Sequence, residues 1–374
     1  MVNLTIKDLF HDKFRVVLVI LGLTVSLLMV HVGMGMMTGS VDQNTRIVDE
    51  GDYDCYIIQS NRANIMMGGS VSDDMYDKVK SISGVKHVDK FIDDWLGVRY
   101  KDDEAGVRLV GFKIKTQYFD LWGCIDCDKD DIKNNNSVII DNIAKKYFPE
   151  LEVNSKLKAG AFETKLKVKG FCDENNVMGN PRMFTNYETA QRLLYMENES
   201  TYLAIKLEDG YSVNQLKDRL KRYDDEIKVV SSEDMKQEIS DYLLFGFGIA
   251  FSIGIIAILG FFVAMIIITI TLYQSIVEKI PELVSLKALG GSKTFINKML
   301  ILQTIFIVVI GYGISIVLAI FLAPILSFYS ALPVGINPVV TSITFVVSLG
   351  LAIFCSLFSI RKVHKTDPAI IFRG

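Results

Sequence analysis

Four long apolar stretches limit what this chain can fold into more than any other feature of its sequence. They run from Arg15 to Met37, Leu243 to Tyr273, Met299 to Phe328 and Val339 to Ile360, and each is long enough to cross a hydrocarbon core about 30 Å thick as a helix. Half of the 374 residues are hydrophobic, a composition that fits a membrane protein. The first stretch is longer than the apolar region of a secretory signal and ends in Gly39-Ser40 without a small-residue cleavage pattern, so it reads as a retained helix. The net charge is only −3, and no basic run or basic-aromatic stripe is present to follow a nucleic-acid backbone.

Orientation follows from the short flanks, because Lys and Arg collect on the cytoplasmic side. Lys7, Lys13 and Arg15 precede the first span, Lys279, Lys287, Lys293 and Lys298 lie between the second and third, and Arg361, Lys362, Lys365 and Arg373 follow the fourth. All three flanks are therefore expected inside, with both termini cytoplasmic. The uncharged stretch from Ser327 to Pro338 suits a short outer loop, which leaves the long segment after the first span outside.

The expected organisation starts with an amphipathic N-terminal helix over 1–15, carried by Leu4, Ile6, Leu9, Phe10 and Phe14, and a first span over 16–40. An extracytoplasmic domain over 41–241 and a long second span over 242–274 come next. A cytoplasmic loop over 275–298, a third span over 299–328, an outer loop over 329–338, a fourth span over 339–360 and a tail over 361–374 complete the chain. The second stretch alone would make a helix of about 46 Å, longer than the bilayer core, so it must tilt or project as a rigid stalk. Gly246, Gly248, Gly254 and Gly260 along it would permit close helix approach.

The outer segment has the mixture of an α+β domain. Cys55 to Ile58 reads as a strand, Ser72 to Ser81 as a helix and Trp95 to Tyr100 as a strand; Tyr202 to Leu207, Val213 to Arg222 and Ile227 to Val230 repeat that order. Two such units around an insertion predict a split ferredoxin-like arrangement. The insertion, about 106–199, contains Val138 to Ile140, a helical run from Asn142 to Phe148 and the alternation Lys165 to Lys169, and reads as a strand-rich subdomain.

The spans carry no Asp, Glu, Lys or Arg between their ends, which disfavours an ion-coupled carrier, since such carriers keep ionisable groups in the membrane. Four helices enclose a substrate path poorly by themselves, so a second copy of the chain is the economical partner. Gly290-Gly291-Ser292-Lys293-Thr294 has the wrong residue order and glycine spacing for a phosphate-binding loop. An ATP-driven protein of this sequence would need its ATPase on another subunit. The loop does offer Val277-Glu278-Lys279-Ile280-Pro281-Glu282-Leu283-Val284-Ser285-Leu286-Lys287-Ala288-Leu289-Gly290, where a proline can start a short helix, Leu283, Leu286 and Leu289 can form one stripe, and glycine can end it.

That loop resembles the signature of the FtsX-like, MacB-type ABC permeases, Glu-Arg-x-x-Glu-Ile-x-x-x-Lys-Ala-Leu-Gly. Glu278, Lys279, Glu282, Leu283, Lys287, Ala288, Leu289 and Gly290 stand at the corresponding places, with Lys279 for Arg, Leu283 for Ile and an unusual Pro281 as departures. The start Asn3-Leu-Thr-Ile-Lys-Asp-Leu-Phe is similar to the family's N-terminal helix. Asp367-Pro368-Ala-Ile-Ile-Phe372-Arg373 resembles its closing Asp-Pro-x-x-x-Leu-Arg, and Ile82 to Val85 and Tyr118 to Gly123 resemble landmarks of its outer domain. The resemblance implies a four-helix membrane bundle with a large extracytoplasmic α+β domain, working as a homodimer with two copies of a cytoplasmic ATPase that binds ATP and Mg; this chain would bind no cofactor. Its coupling residues would be Glu278, Lys279, Glu282, Leu283, Leu286, Lys287, Ala288, Leu289 and Gly290. Motion of the outer domain would drive export, or extraction from the outer leaflet, of a lipophilic or peptide-like substrate. The alternatives are a relay that controls an extracytoplasmic partner such as a cell-wall hydrolase, and an adaptor or receptor that needs no ATPase.

Three local features leave alternatives open. His31 with Met29, Met34, Met36 and Met37 forms a soft-ligand cluster near the outer end of the first span; packing is the plainer reading, and a ligand site at His31 and Met34 in a haem exporter is the other. Cys124-Ile125-Asp126-Cys127 can form a local disulfide, hold a metal with Cys55 or Cys172, or remain as thiols. Asp126, Asp128 and Asp130 mimic the start of an EF-hand loop, but Asp131 and Ser137 occupy its Gly and Glu positions. The orientation is tested by reporter fusions: a fluorescent protein placed after Gly374 is expected to fold and fluoresce, whereas alkaline phosphatase inserted after Lys133 is expected to be active. The reverse pattern would invert the topology.

Overall fold

The computed structural model describes residues 13–173, 176–220, 226–246, 248–288, 293–330 and 333–364, which form two compact units. Residues 1–12 of the expected N-terminal helix and the tail motif of Asp367, Pro368 and Arg373 lie outside the described residues. The chain opens with helix α1 (Lys13–Asp49), strands β1 (Cys55–Gln59) and β2 (Val71–Ser72) and helix α2 (Asp73–Lys80). Strands β3 (Val85–Tyr100), β4 (Asp103–Phe112) and β5 (Ser137–Asp141), the one-turn helix α3 (Ala144–Tyr147) and strands β6 (Lys156–Ala159), β7 (Thr164–Cys172) and β8 (Arg182–Asn186) follow. Helix α4 (Tyr187–Leu193), strands β9 (Glu199–Ser200) and β10 (Tyr202–Leu207), helix α5 (Val213–Leu220), strand β11 (Ile227–Ser231) and helix α6 (Ser232–Asp241) complete the mixed part. Helices α7 (Ile249–Ala288), α8 (Lys293–Ser330) and α9 (Pro338–His364) end the described chain.

Four helices are long and apolar enough to cross a membrane, over Val16–Asp49, Ile249–Ile270, Ile301–Tyr329 and Pro338–Leu357. Large apolar side chains such as Phe251, Phe321, Val339 and Val346 point outward, while Thr24, Ser26, Gln303, Thr304, Ser315 and Ser348 are buried among the helices. Lipid tails are as apolar as leucine, so this arrangement leaves packing and interhelical polar contacts to hold the bundle together. Leu23, Leu27, Ile268, Val308 and Tyr312 form its core, and Thr24 Oγ1 donates to the Gly311 carbonyl across 3.3 Å. Of the glycines expected to permit close approach, Gly260 does so: a Cβ there would lie 3.0 Å from the Ser26 carbonyl oxygen, whereas one on Gly254 would meet nothing.

The first helix runs past its expected end. Residues 41–49, expected to open the outer domain, continue α1, because Ile47 and Val48 fall on the side buried in the aromatic core of the mixed unit. Asn44 donates back to the Ser40 carbonyl at 2.7 Å, and Arg46 pairs with Glu50 one turn on.

In the mixed unit the strand order β11-β1-β10-β3, antiparallel throughout, is that of a split ferredoxin-like βαββαβ fold, with α2 and α5 as its crossover helices. Ser72 caps α2 by accepting from the Met75 N–H. Met75 and Val79 of α2 and Leu216 and Leu220 of α5 pack on Ile57, Val88, Leu203 and Ile205 of the sheet. The strand expected at Trp95 to Tyr100 is only the far half of β3. Its near half, from Val85, pairs with β10 and its far half with β4. The near half escaped the strand pattern because the buried face changes along it: Val88, Asp89, Phe91, Ile92 and Asp93 are all buried, which breaks simple alternation.

The insertion closes on itself. Strands β3, β4, β8, β5, β7 and β6 pair in that order, and β6 returns to β3 through Val98–Ala159 and Arg99–Lys158. The result is a small six-stranded barrel filled by Val98, Val107, Leu109, Val138, Ile140, Leu166 and Val168. Closure removes the free strand edges that a flat insertion would expose. Where barrel and sheet meet, buried Arg108 donates to the Asp93 carboxylate and to the carbonyls of Asp93 and Ile65. Burial, the largest influence, lowers the guanidinium pKa of Arg182 nearby, against the raising effect of Asp93. Removing Asp93 would leave buried Arg108 with only the half-exposed Asp94 carboxylate, 3.9 Å away, and breaking a buried ion pair in this way costs about 3–5 kcal/mol. Asp93→Ala is therefore expected to lower the unfolding free energy of the outer domain by about that amount, measured by hydrogen exchange of the barrel amides in the full chain.

Candidate functional site

The sequence resembling an ATPase-coupling element lies at the C-terminal end of α7. The backbone is helical without a break from Ile249 to Ala288, so Glu278, Lys279, Glu282, Leu283, Leu286, Lys287 and Ala288 belong to the same helix as the membrane span. Leu289 and Gly290 lie outside the described residues. A separate short helix was expected to begin at Pro281, after a span ending near 274. The helix instead passes through Pro281, whose missing N–H removes one bond from the ladder. At 1.5 Å per residue, α7 is about 60 Å long, twice the thickness of a bilayer core.

The other end of α7 corrects the expectation of one rigid stalk from residue 242. Helix α6 ends at Asp241, Tyr242–Gly246 form a π-helical turn, and Gly248 has a φ of 70° before α7 starts at Ile249. That left-handed conformation suits glycine and disfavours residues with a Cβ. The helix is thus jointed at Gly248.

His31 and Met34 are brought together. Both line a small cavity with Thr38, Asn337, Thr341 and Thr344, about 10 Å³ in volume. His31 is buried, its Nδ1 donates to the Leu27 carbonyl at 2.9 Å, and its ring meets Tyr312 edge-on with centroids 5.0 Å apart. Nε2 is buried and has no hydrogen-bond partner among the described residues. The space suits one water molecule, which can donate to Nε2, and is far too small for a porphyrin. Met29 is exposed, away from this cavity. Sequence reasoning did not bring Tyr312 to the site, because nothing local links it to a histidine on another helix.

The cysteines separate into different places. Cys124 and Cys127 are joined as a disulfide, one of the readings left open by their spacing. Cys55 lies in the core between the sheet and its crossover helices, where burial and the neighbouring Asp54 push its thiol up to about 12. A metal ligand must be a thiolate, so Cys55 is poorly suited to that role. Among the described residues, no group of three or more His, Cys, Asp or Glu could hold a metal ion.

One outer-domain feature went unnoticed in the sequence. A cavity of about 580 Å³, lined by Gly160, Phe162, Glu188, Arg192, Tyr195 and Glu197, lies beside the turn joining β6 to β7. Phe162 and Tyr195 are exposed and meet edge-on with ring centroids 5.5 Å apart. The only local signal was a phenylalanine in a polar turn.

Two family models match the chain. Residues 16–223 match the family model of the MacB-like periplasmic core domain, and residues 254–368 match that of the FtsX-like permease C-terminal region. An uncharacterized ABC transporter permease of Methanocaldococcus jannaschii is 23% identical over 320 residues, 79% of either chain. Another from Mycobacterium tuberculosis is 32% identical over 123 residues, 33% of this chain and 34% of that one. Among solved structures, the periplasmic region of MacB from Actinobacillus actinomycetemcomitans is similar at 14% identity with a TM-score of 0.38, covering 51% of this chain and 94% of that one.

The joint at Gly248 makes a separable prediction. Gly248→Ala is expected to cost about 1–2 kcal/mol through its left-handed backbone, whereas Gly254→Ala, inside α7 and facing open space, should be neutral or stabilising. Thermal unfolding of the full chain in detergent compares the two; equal effects would rule out the joint.

Proposed function

The chain belongs to the FtsX-like, MacB-type ABC permeases, a multi-pass membrane family whose members work with a partner ATPase, and on that premise we propose that it transmits ATP-driven motion from the cytoplasm to its outer domain. The observation that carries this reading is the continuity of α7, which joins Glu278–Ala288 to the membrane span in one helix of 40 residues. A rigid helix turns displacement at one end into displacement at the other, and the joint at Gly248 lets its far end change direction without unfolding. Two ATPase subunits, binding ATP and Mg, would dock at the ends of α7 in a homodimer, with both termini of each permease on the cytoplasmic side. The chain's own part is mechanical, a bistable bundle whose populations nucleotide shifts.

Export, or extraction from the outer leaflet, of a lipophilic or peptide-like substrate is the favoured outcome of that motion. The closed barrel and the aromatic-lined cavity beside it support this over a bare relay to a cell-wall hydrolase, because they give the outer domain a concave surface within the usual size of ligand sites, about 300–1,000 Å³. The small cavity at His31 and Met34 gives no support to haem as the cargo.

The coupling assignment is tested with Glu278→Lys combined with Glu282→Lys. The double variant should insert and dimerise normally and lose most of the stimulation that the permease gives its co-purified ATPase. Full stimulation in the variant would remove the assignment, and failure of the native chain to co-purify any ATPase would favour an adaptor or receptor.

A further inference from the structure

The segment between β4 and β5 lies against the end of β7, and this places three cysteines on one face of a strand. Cys124 and Cys127 form a disulfide with Cα atoms 5.3 Å apart. Cys124 also stands opposite Cys172 in an antiparallel bridge. The hydrogen bonds on either side, Ile125 N–H to the Phe171 carbonyl at 3.3 Å and Asp173 N–H to the Gly123 carbonyl at 2.8 Å, make Cys124 and Cys172 a non-hydrogen-bonded pair. Such pairs have Cα atoms about 4.5 Å apart and side chains on the same face, within the range of about 4.4–6.8 Å that a disulfide spans.

Cys127 covers the same face. A Cβ on Gly170 would lie 2.5 Å from the Cβ of Cys127, and Gly170 and Cys172, two residues apart on a strand, share a face. The approach depends on glycine at both contacts: Gly123 has a φ of 65°, and a Cβ there would lie 2.1 Å from the Asp173 carbonyl oxygen. Cys172 carries its sulfur as a buried thiol.

We propose that Cys124 is a shared disulfide position whose partner alternates between Cys127 and Cys172. The thiolate of Cys172 attacks Sγ of Cys124, the Cys124–Cys127 bond breaks, and Cys127 leaves as a thiolate that takes up the proton Cys172 gave up. One disulfide and one thiol exist before and after, so the exchange needs no oxidant or reductant. The two states differ in what they hold. The Cys124–Cys127 bond closes a ring within one segment, whereas Cys124–Cys172 ties that segment to the barrel across a much longer loop, the case in which a cross-link restricts the chain most.

The tie falls at a sensitive place. The same segment supplies Tyr118, Phe119, Trp122 and Ile132 to the core that holds Ile47 and Val48. Its Tyr118 carbonyl accepts from the Asp52 N–H at 2.8 Å, and Arg46 lies over the Trp122 ring at 6.0 Å. The disulfide choice thereby sets how firmly the segment is pinned beside the last turn of α1.

The exchange is read directly by mapping disulfides on the full chain in nanodiscs. The native protein is incubated with a glutathione redox buffer, quenched in acid, unfolded, alkylated and digested without reduction. Both Cys124–Cys127 and Cys124–Cys172 peptides are expected. Cys172→Ser should retain only the first. Cys127→Ser should convert almost wholly to the second, oxidised glutathione accepting the two electrons. A native chain in which Cys172 is alkylated throughout, with no Cys124–Cys172 peptide at any buffer ratio, would overturn the proposal. That measurement needs no variant, so a folding defect in either serine variant cannot decide the matter, and it needs no ATPase, so it is independent of the coupling assignment.

Discussion

Hydrocarbon offers no hydrogen-bond partner to a backbone N–H or carbonyl, and the helical half of this protein follows from that. A spanning segment must satisfy its backbone within itself, so the four apolar stretches become helices whatever else the chain does. With lipid on the outside, apolar side chains gain little from turning inward, and the bundle's interior takes up Thr24, Gln303, Thr304 and Ser348 beside Leu23 and Val308. Small residues then fix how closely the helices approach, as Gly260 does against Ser26.

The mixed unit obeys the opposite rule. Water surrounds it, so its apolar faces are buried, and its economy lies in sharing one strand between two layers. The 16-residue β3 gives one half to the ferredoxin-like sheet and the other to the barrel, and the Asp93–Arg108 pair stands where it changes partner. Breaking either layer therefore disturbs the other. The segment between β4 and β5 packs beside this junction, with Phe119 against Phe91 and Trp122 and the cysteine pair near its middle.

Much of the functional reading rests on residues whose significance was legible in the sequence. The spacing from Glu278 to Gly290 carried the family resemblance, and the paired strand-helix-strand units carried the ferredoxin-like prediction. Three things were hidden. The helix through Pro281 was hidden because proline is both a helix starter and a tolerated interruption, and sequence gives no means of choosing. The closure of the barrel depends on β6 meeting β3, a pairing between strands distant in the chain. The meeting of Cys124 with Cys172, and of His31 with Tyr312, likewise depends on contacts between elements that no local pattern connects.

Hydropathy, residue periodicity and motif spacing by themselves determined that this chain has four membrane-length apolar helices, a large α+β domain and, after its second span, a motif that resembles the family signature. Those properties are sums over neighbouring residues, and neighbours are what a sequence records. Tertiary structure decided where helices continue or bend, which strands close a barrel and which sulfurs share a face. Each of these depends on the free energy of contacts between distant segments, and that is defined only once the segments have been brought together.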